Sequence, residues 1–394
     1  MSRPTGPVRH MVFCRFRADV TPARRLAFFE QIRRLTEVPG IAFTNFQCGP
    51  NVSPEGYGMN FADGFMMDFE SGQPASRISP IRRIRRSARV CSKRSMAARK
   101  ACSYSISIWK LMRNLQGRLD LCSINTATLG HREPLSRTID RIAKAGFGGI
   151  APWRREVEEA DLVQIARQIK ALDLTVTGYC RSTYLPAATS AEFKANVEAN
   201  RAALRDAAIL GARCFVMVVG GLPEGSRDLD GARNQVSEGI EMLLETARDC
   251  GVPLALEPLH PVYAADRAVL NTIAQALEIC ERVDRDRSGM LGVAVDVYHC
   301  WWDPALTASI EAAGRAGRIL AYHACDWLRE TRDVLLDRGM MGDGVIDLPA
   351  VRQTIESAGY EGLVEVEIFS AQDWWLRDPD EVLAICADRL QNFC

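Results

Sequence analysis

Residues 291–299, LGVAVDVYH, read as a strand apolar on both faces that runs into Asp296 and, three residues later, His299. A strand buried on both faces belongs in a parallel sheet covered by helices. Three similar runs each carry a potential cation ligand near the end: Glu257 in PLALEPL (253–259), His323 in ILAYHAC (319–325) and Glu367 in LVEVEIFS (363–370). Towards the N-terminus, LDLCSIN (119–125), GGIAPW (148–153), LTVTGYC (174–180) and RCFVMVVGG (213–221) complete a set of eight strands. Amphipathic stretches of helix length lie between them, among them 135–145, 157–172, 190–210, 231–250 and 270–283. This rhythm over residues 117–394 predicts an α/β fold, a (β/α)8 TIM barrel. A doubly wound open sheet is the rival, but no G-x-G-x-x-G turn follows the first strand.

Chemistry in such a barrel sits at the carboxyl ends of the strands. Ala255, Ala294 and Ala321 each precede a ligand by two residues, so they fall one layer below it on the same inward face and leave room for a recessed ion. Glu365 occupies the layer below Glu367, and the sequence offers it no evident partner. Acids gathered in one barrel mouth repel and suffer desolvation unless a cation neutralises them. Glu257, Asp296, His323 and Glu367 are therefore read as ligands of a divalent metal. Three carboxylates and one imidazole favour Mn²⁺ first, with Mg²⁺, Co²⁺ or Zn²⁺ as alternatives.

Composition narrows the class. The 394 residues, 47% hydrophobic and 25% charged, exclude a disordered or collagen-like chain. Thirteen cysteines without a C-x-x-C pair read as buried thiols rather than a disulfide or zinc framework. No apolar run reaches membrane-helix length and no signal-peptide core follows MSRPTGPVRH, which predicts a cytoplasmic protein without a membrane partner. The net charge of zero hides a division: residues 1–116 hold 20 Lys/Arg against 7 Asp/Glu, the remainder 29 against 42.

The N-terminal part, 7–72, reads as strand (VRHMVFCRFR, 8–17), helix (TPARRLAFFEQIRRL, 21–35) and two strands (IAFTNFQCG and FADGFMMDFES), a partial ferredoxin-like α+β segment. Its RHMVFCRF, NVSPEG and DGFMMDFES stretches resemble the Dabb family of stress-responsive α/β barrel domains. That resemblance implies a dimerisation or small-ligand module with a second helix and a last strand, which the chain does not supply. Instead, residues 73–116 form a basic segment with twelve Lys/Arg and no acid. Freely chosen codons read two bases later convert QPASRISPIRRIRRSAR, VCSKRSMA and CSYSISIW into a helix, turn and strand of the missing kind. Residues from about 73 to 110 are therefore read as an out-of-frame translation, with a disordered basic linker as the alternative and Met112 as a native start for the barrel.

From about residue 119 the chain resembles the xylose-isomerase-like superfamily, the sugar phosphate isomerase/epimerase group, in EPLHPVYAADR (257–267), DVYHCWWDP (296–304), HACDW (323–327), DRGMMGDGVIDL (337–348) and VEVEIFS (364–370). The resemblance implies the same four metal ligands, His299 as a substrate-binding residue, and Arg329 in the place of a ketose 3-epimerase arginine. Tyr263 stands where that branch has a second Glu, which argues against the narrow 3-epimerase activity. Trp153 and Trp327 are read as sugar-stacking rings, His260 as either a loop hydrogen-bonder or a substrate contact, and Tyr179, Trp301, Trp302, Trp374 and Trp375 as further rim aromatics. Residues 327–347, with three glycines, read as a mobile cover.

The implied activity is a metal-dependent isomerase or epimerase acting on a small sugar, sugar phosphate or polyol ketone through a cis-enediolate, with Glu257 and Glu367 moving the proton. Dehydration of an inosose-type ketone and non-catalytic sugar binding are the alternatives, and a homo-oligomer is left open. Four histidines in an acidic barrel argue against the related endonuclease IV chemistry and against a nucleic-acid partner. Sequencing the encoding DNA tests the frame reading: codons for 73–110 that give unrelated residues two bases later overturn it.

Overall fold

The computed structural model describes residues 8–14, 21–34, 44–50, 63–69 and 112–394, and the chain divides into two compact units at residues 110 and 111. In the first unit, β1 (Val8–Cys14), α1 (Pro22–Arg33), β2 (Thr44–Pro50) and β3 (Asp63–Phe69) follow the predicted strand–helix–strand–strand order. The sheet runs β1-β3-β2 with both pairings antiparallel, and Phe29 and Ile32, three apart on α1, are buried. The segment read as out of frame, from about 73 to 110, lies outside the described residues. Residues 112–116, assigned by composition to the linker, belong instead to the second unit: Leu115 is buried, and Arg113 pairs with the buried Glu356 at 3.0 Å.

The second unit is the predicted (β/α)8 barrel. Its parallel strands are β4 (Cys122–Asn125), β5 (Gly149–Ala151), β6 (Thr175–Val176), β7 (Tyr179–Cys180), β8 (Phe215–Met217), β9 (Leu254–Leu256), β10 (Leu291–Asp296), β11 (Ile319–Ala324) and β12 (Val364–Val366). The order β6-β5-β4-β12-β11-β10-β9-β8-β7 fills eight positions, because β6 and β7 are halves of the single strand expected at 174–180. The division falls at Thr177-Gly178, where the chain changes backbone partner: Thr177 N donates to Ile150 O of β5 and Tyr179 N to Cys214 O beside β8. β12 pairs with β4, Val366 opposite Ile124, which joins the last strand to the first.

Helices form where caps and apolar periodicity agree. Leu135–Lys144 (α2), the short Arg154–Glu158 (α3), Leu162–Ala171 (α4), Ser190–Leu210 (α5) and Leu229–Cys250 (α6) cover the first half of the barrel. A capping box between Thr189 and Glu192 starts α5, and Gly211 at φ 71° ends it. No helix of the described residues is long and apolar enough to cross a membrane.

The barrel interior is divided by chemistry. Ala255, Ala294 and Ala321 lie together as predicted, with Cys180, Cys214 and Val216 completing a buried cluster of small apolar side chains. Across from it the lining is polar: Ser123 and Thr177 hydroxyls are 2.8 Å apart, and Thr177 Oγ1 donates to Glu365 Oε2 at 2.6 Å. Ala294→Leu would overfill the small layer, so it is expected to destabilise the barrel by about 1–3 kcal/mol and to reduce metal uptake. Chemical denaturation and metal analysis of the purified variant check both effects.

Candidate metal centre

The four predicted ligands lie on four adjacent strand positions, β9 to β12: Glu257 and Glu367 one residue beyond the strand, Asp296 its last residue and His323 its last but one. Strand register brings Asp296 opposite His323, and His323 opposite Glu365. One ligand atom each from Glu257, Asp296, His323 and Glu367 falls within 4.8 Å of all the others, and every one of these residues is buried. His323 is at the middle: its Nδ1 is 2.9 Å from Glu257 Oε1 and 3.4 Å from Glu367 Oε2. Both ring nitrogens of His323 and Glu257 Oε1 are nevertheless buried without a hydrogen bond, a costly arrangement unless a cation is the missing partner. The donor set, carboxylate oxygens with one imidazole nitrogen, fits a divalent ion.

Outside the ligands, each group has a defined hold. His323 Nε2 faces Glu365 Oε1 at 3.6 Å, the carboxylate behind imidazole arrangement that orients a metal-binding histidine. Glu365 is fixed by Thr177 and by Asn125 Nδ2 at 2.9 Å, the partners its sequence position concealed. Asp296 Oδ1 accepts the Tyr298 N–H at 2.8 Å, while its Oδ2 meets Arg338 Nη1 at 3.0 Å. Arg338 also approaches Glu367 Oε2 at 3.4 Å, and its guanidinium lies between the Tyr298 and Phe369 rings, 4.5 and 4.7 Å from their centroids.

The electrostatics follow from burial and neighbours. Burial pushes the Glu257 carboxyl up, the Glu367 and Asp296 carboxylates add to that rise, and His323 opposes it. Burial would also raise Glu367, but His323 and Arg338 outweigh it and hold this carboxyl low. Burial disfavours charge on His323, yet Glu365, Glu257 and Glu367 overcome it and drive the imidazole upward. His299 is lowered to about 3, chiefly by burial and against the pull of Asp296, so it stays neutral near pH 7. Donors meet both ring nitrogens, the His260 backbone N–H at Nδ1 (3.3 Å) and Arg338 Nη2 at Nε2 (3.2 Å), and Nε2 also lies 3.5 Å from Asp296 Oδ2.

The remaining predicted residues divide. His299 and His260 stand beside the ligands; His260 stacks on Trp327 at 5.0 Å, and its Nδ1 accepts the Val262 N–H at 3.2 Å. Trp153 packs over the small-residue layer at the mouth and touches Phe369, with centroids 5.4 Å apart. Tyr179 is wholly buried beside Phe215, Trp302 Nε1 bonds His299 O, and Trp375 Nε1 bonds Ala127 O, so these aromatics pack. Arg329 is exposed in a turn and makes no described contact with the ligands; the arginine that reaches them is Arg338. An offset of six residues after a histidine cannot register how the following loop folds back. The one sequence signal for Arg338 was a cation placed directly before the apolar Gly339-Met340-Met341, whose methionines are wholly buried.

One side chain ties the two ends of the 327–347 segment together. Asp326 is buried, and its carboxylate accepts backbone N–H groups from Trp327, Gly342, Gly344 and Ile346 at 2.8–3.0 Å. Gly344 permits this close approach, since a Cβ there would lie 2.2 Å from Trp327 O.

Residues 139–387 match the family described as xylose isomerase-like TIM barrel. The chain belongs to that family. Residues 8–73 match the stress responsive A/B barrel (Dabb) domain family, in agreement with the sequence reading. A solved structure of protein SMc04130 from Sinorhizobium meliloti 1021 is 49% identical and superposes with a TM-score of 0.68 over 70% of this chain and 99% of that one. The structure of an IOLI protein with a binding zinc atom shares the fold at a TM-score of 0.59 and 20% identity, over 68% of this chain and 96% of its own. Inosose isomerase of Bacillus subtilis (strain 168) is 32% identical over 136 residues, 32% of this chain; the match spans only 44% of that relative's length.

Replacing Arg338 by Leu leaves two buried carboxylates without their cation, so the metal-free variant is expected to lose about 3–5 kcal/mol. Added Mn²⁺ should recover more of the melting temperature in this variant than in the wild type. Thermal denaturation with and without metal checks the pair of effects; equal recovery would mean that Arg338 does not share the ion's neutralising role.

Proposed function

We propose that this barrel is a divalent-metal-dependent isomerase or epimerase of a small polyhydroxylated carbonyl compound, a sugar, sugar phosphate or polyol ketone, with Mn²⁺ as the preferred ion. The observation that carries the reading is the convergence of four buried ligands within 4.8 Å, with two glutamates on β9 and β12 at opposite ends of the four-strand arc. The name inosose isomerase on relatives matched over part of their length supports a ring polyol ketone among the candidate substrates. When bound, a divalent ion polarises adjacent carbonyl and hydroxyl oxygens and makes the neighbouring C–H more acidic.

The protein's own groups do the rest. Glu257 and Glu367 are placed to take the proton from that carbon and return it, giving epimerisation when it returns to the other face and aldose–ketose isomerisation when it returns to the adjacent carbon. His299, a neutral imidazole beside Asp296, binds a substrate oxygen. The half-buried Trp327 and His260, stacked on one another, offer an aromatic wall for the apolar face of the ring. Arg338 balances the ligand carboxylates without a substrate having to do so.

The test is solvent exchange in D₂O with a panel of ketoses, aldoses, their phosphates and inosose-type ketones. Deuterium should enter the C–H next to the carbonyl only when Mn²⁺ or a similar ion is supplied. The rate should fall by at least about 100-fold in Glu367→Gln and in Glu257→Gln. Release of water with loss of a hydroxyl would assign dehydration in place of isomerisation, and neither metal uptake nor exchange would overturn the enzymatic reading.

A further inference from the structure

Trp153 sits where the sequence places a sugar-stacking ring, yet its one polar atom is already engaged. The indole Nε1–H donates to Asn125 Oδ1 at 2.7 Å. An indole nitrogen can only donate, so this contact decides which end of the Asn125 amide is oxygen. Oδ1 faces Trp153, where it also accepts the Ala127 N–H at 3.1 Å, and Nδ2 faces the carboxylates. Both amide hydrogens have an acceptor there: Glu365 Oε1 at 2.9 Å and Glu367 Oε1 at 3.1 Å. Asn125 is wholly buried, so water cannot substitute for either bond.

The consequence reaches two metal ligands. Holding Glu367 by Oε1 leaves Oε2 as the oxygen 3.4 Å from His323 Nδ1. Holding Glu365 by the same amide fixes the carboxylate behind His323 Nε2, and with it the direction of the imidazole ring.

We propose that Trp153 and Asn125 act as a positioning pair that sets the orientation of Glu367 and, through Glu365, of His323. This inference rests on the metal-dependent reading above and adds to it a source of order on β4 and β5, the strands next to β12. It separates cleanly from a stacking role, because Trp153→Phe keeps an aromatic face at the mouth and removes only the N–H. Without that donor, Oδ1 keeps only the longer bond from the Ala127 N–H, so the amide is held less firmly against Glu365 and Glu367; turning it over would set an oxygen against two carboxylates.

The experiment compares the full-length wild type, Trp153→Phe, Asn125→Ala and the double variant, each checked for its fold by circular dichroism. Mn²⁺ affinity and the electron paramagnetic resonance spectrum of bound Mn²⁺ are measured, followed by kcat and KM for C–H exchange. Each single variant is expected to weaken Mn²⁺ binding or lower kcat by about 10-fold or more with a smaller change in KM, and to alter the Mn²⁺ spectrum. The double variant should be no worse than the worse single one, since both remove one chain of contacts. A raised KM in Trp153→Phe with wild-type Mn²⁺ affinity, spectrum and kcat would overturn the proposal in favour of stacking, and additive losses would overturn the pairing. If Asn125→Ala fails to fold, Trp153→Phe alone decides. A wild type that binds no Mn²⁺ removes the metal reading and this inference together; a wild type that binds and exchanges beside variants that match it removes only the inference.

Discussion

The interior of this barrel is organised by the need to neutralise carboxylates that have been withdrawn from water. Glu257, Asp296, Glu365 and Glu367 are all nearly inaccessible, and the imidazoles of His299 and His323 and the guanidinium of Arg338 stand among them. Isolated buried anions of this kind cost several kcal/mol each. Arg338 offsets part of that charge through Asp296 and Glu367, but it approaches from the loop side and leaves Glu257 facing His323. A proton on His323 supplies one further positive charge, whereas a divalent ion supplies two and leaves the imidazole free to bind it. The ligand set is thus most nearly balanced when loaded.

That requirement explains the division of the barrel lining. Recessing the ligands demands little volume beneath three of them, and Ala255, Ala294 and Ala321 provide it, with two cysteines and a valine closing the layer. Beneath the fourth, the layer is polar because Glu365 lies there, and Thr177 and Asn125 saturate its oxygens. Thr177 reaches Glu365 where the third strand breaks and changes its backbone partner, so a local departure from regular pairing coincides with a hydrogen bond that the site requires.

The strand rhythm and the four ligands were legible because they rest on local periodicity: two-faced apolar runs, a polar residue at each late strand end, and alanines two residues earlier. Features that depend on the return path of loops were not. Arg329 satisfies a spacing but lies exposed in a turn, while Arg338 enters the site because the loop folds back: Arg338 N bonds Phe369 O, Gly339 pairs with Asp326, and the Asp326 carboxylate takes four backbone N–H groups. Asn125 and Thr177 look like ordinary strand-end polar residues until closure sets them against Glu365. Composition also misplaced the start of the barrel, because Arg113 adds to the basic count of the linker while bonding Glu356.

Closure therefore does more than complete the sheet. All four ligands come from strands β9 to β12, so a contiguous stretch of chain could in principle gather them. The orientation of two of them, Glu367 and His323, has a different origin: β4 pairs with β12, placing Asn125 next to Glu365 and Glu367, and Trp153 follows from the end of β5 to fix the amide. A centre assembled in this way takes its ligands from the last four strands and part of its geometry from the first two. Pairing of the first strand with the last is then the step that turns a cluster of acids into a site with a defined shape, and it ties the chemistry at the mouth to cooperative folding of the whole barrel.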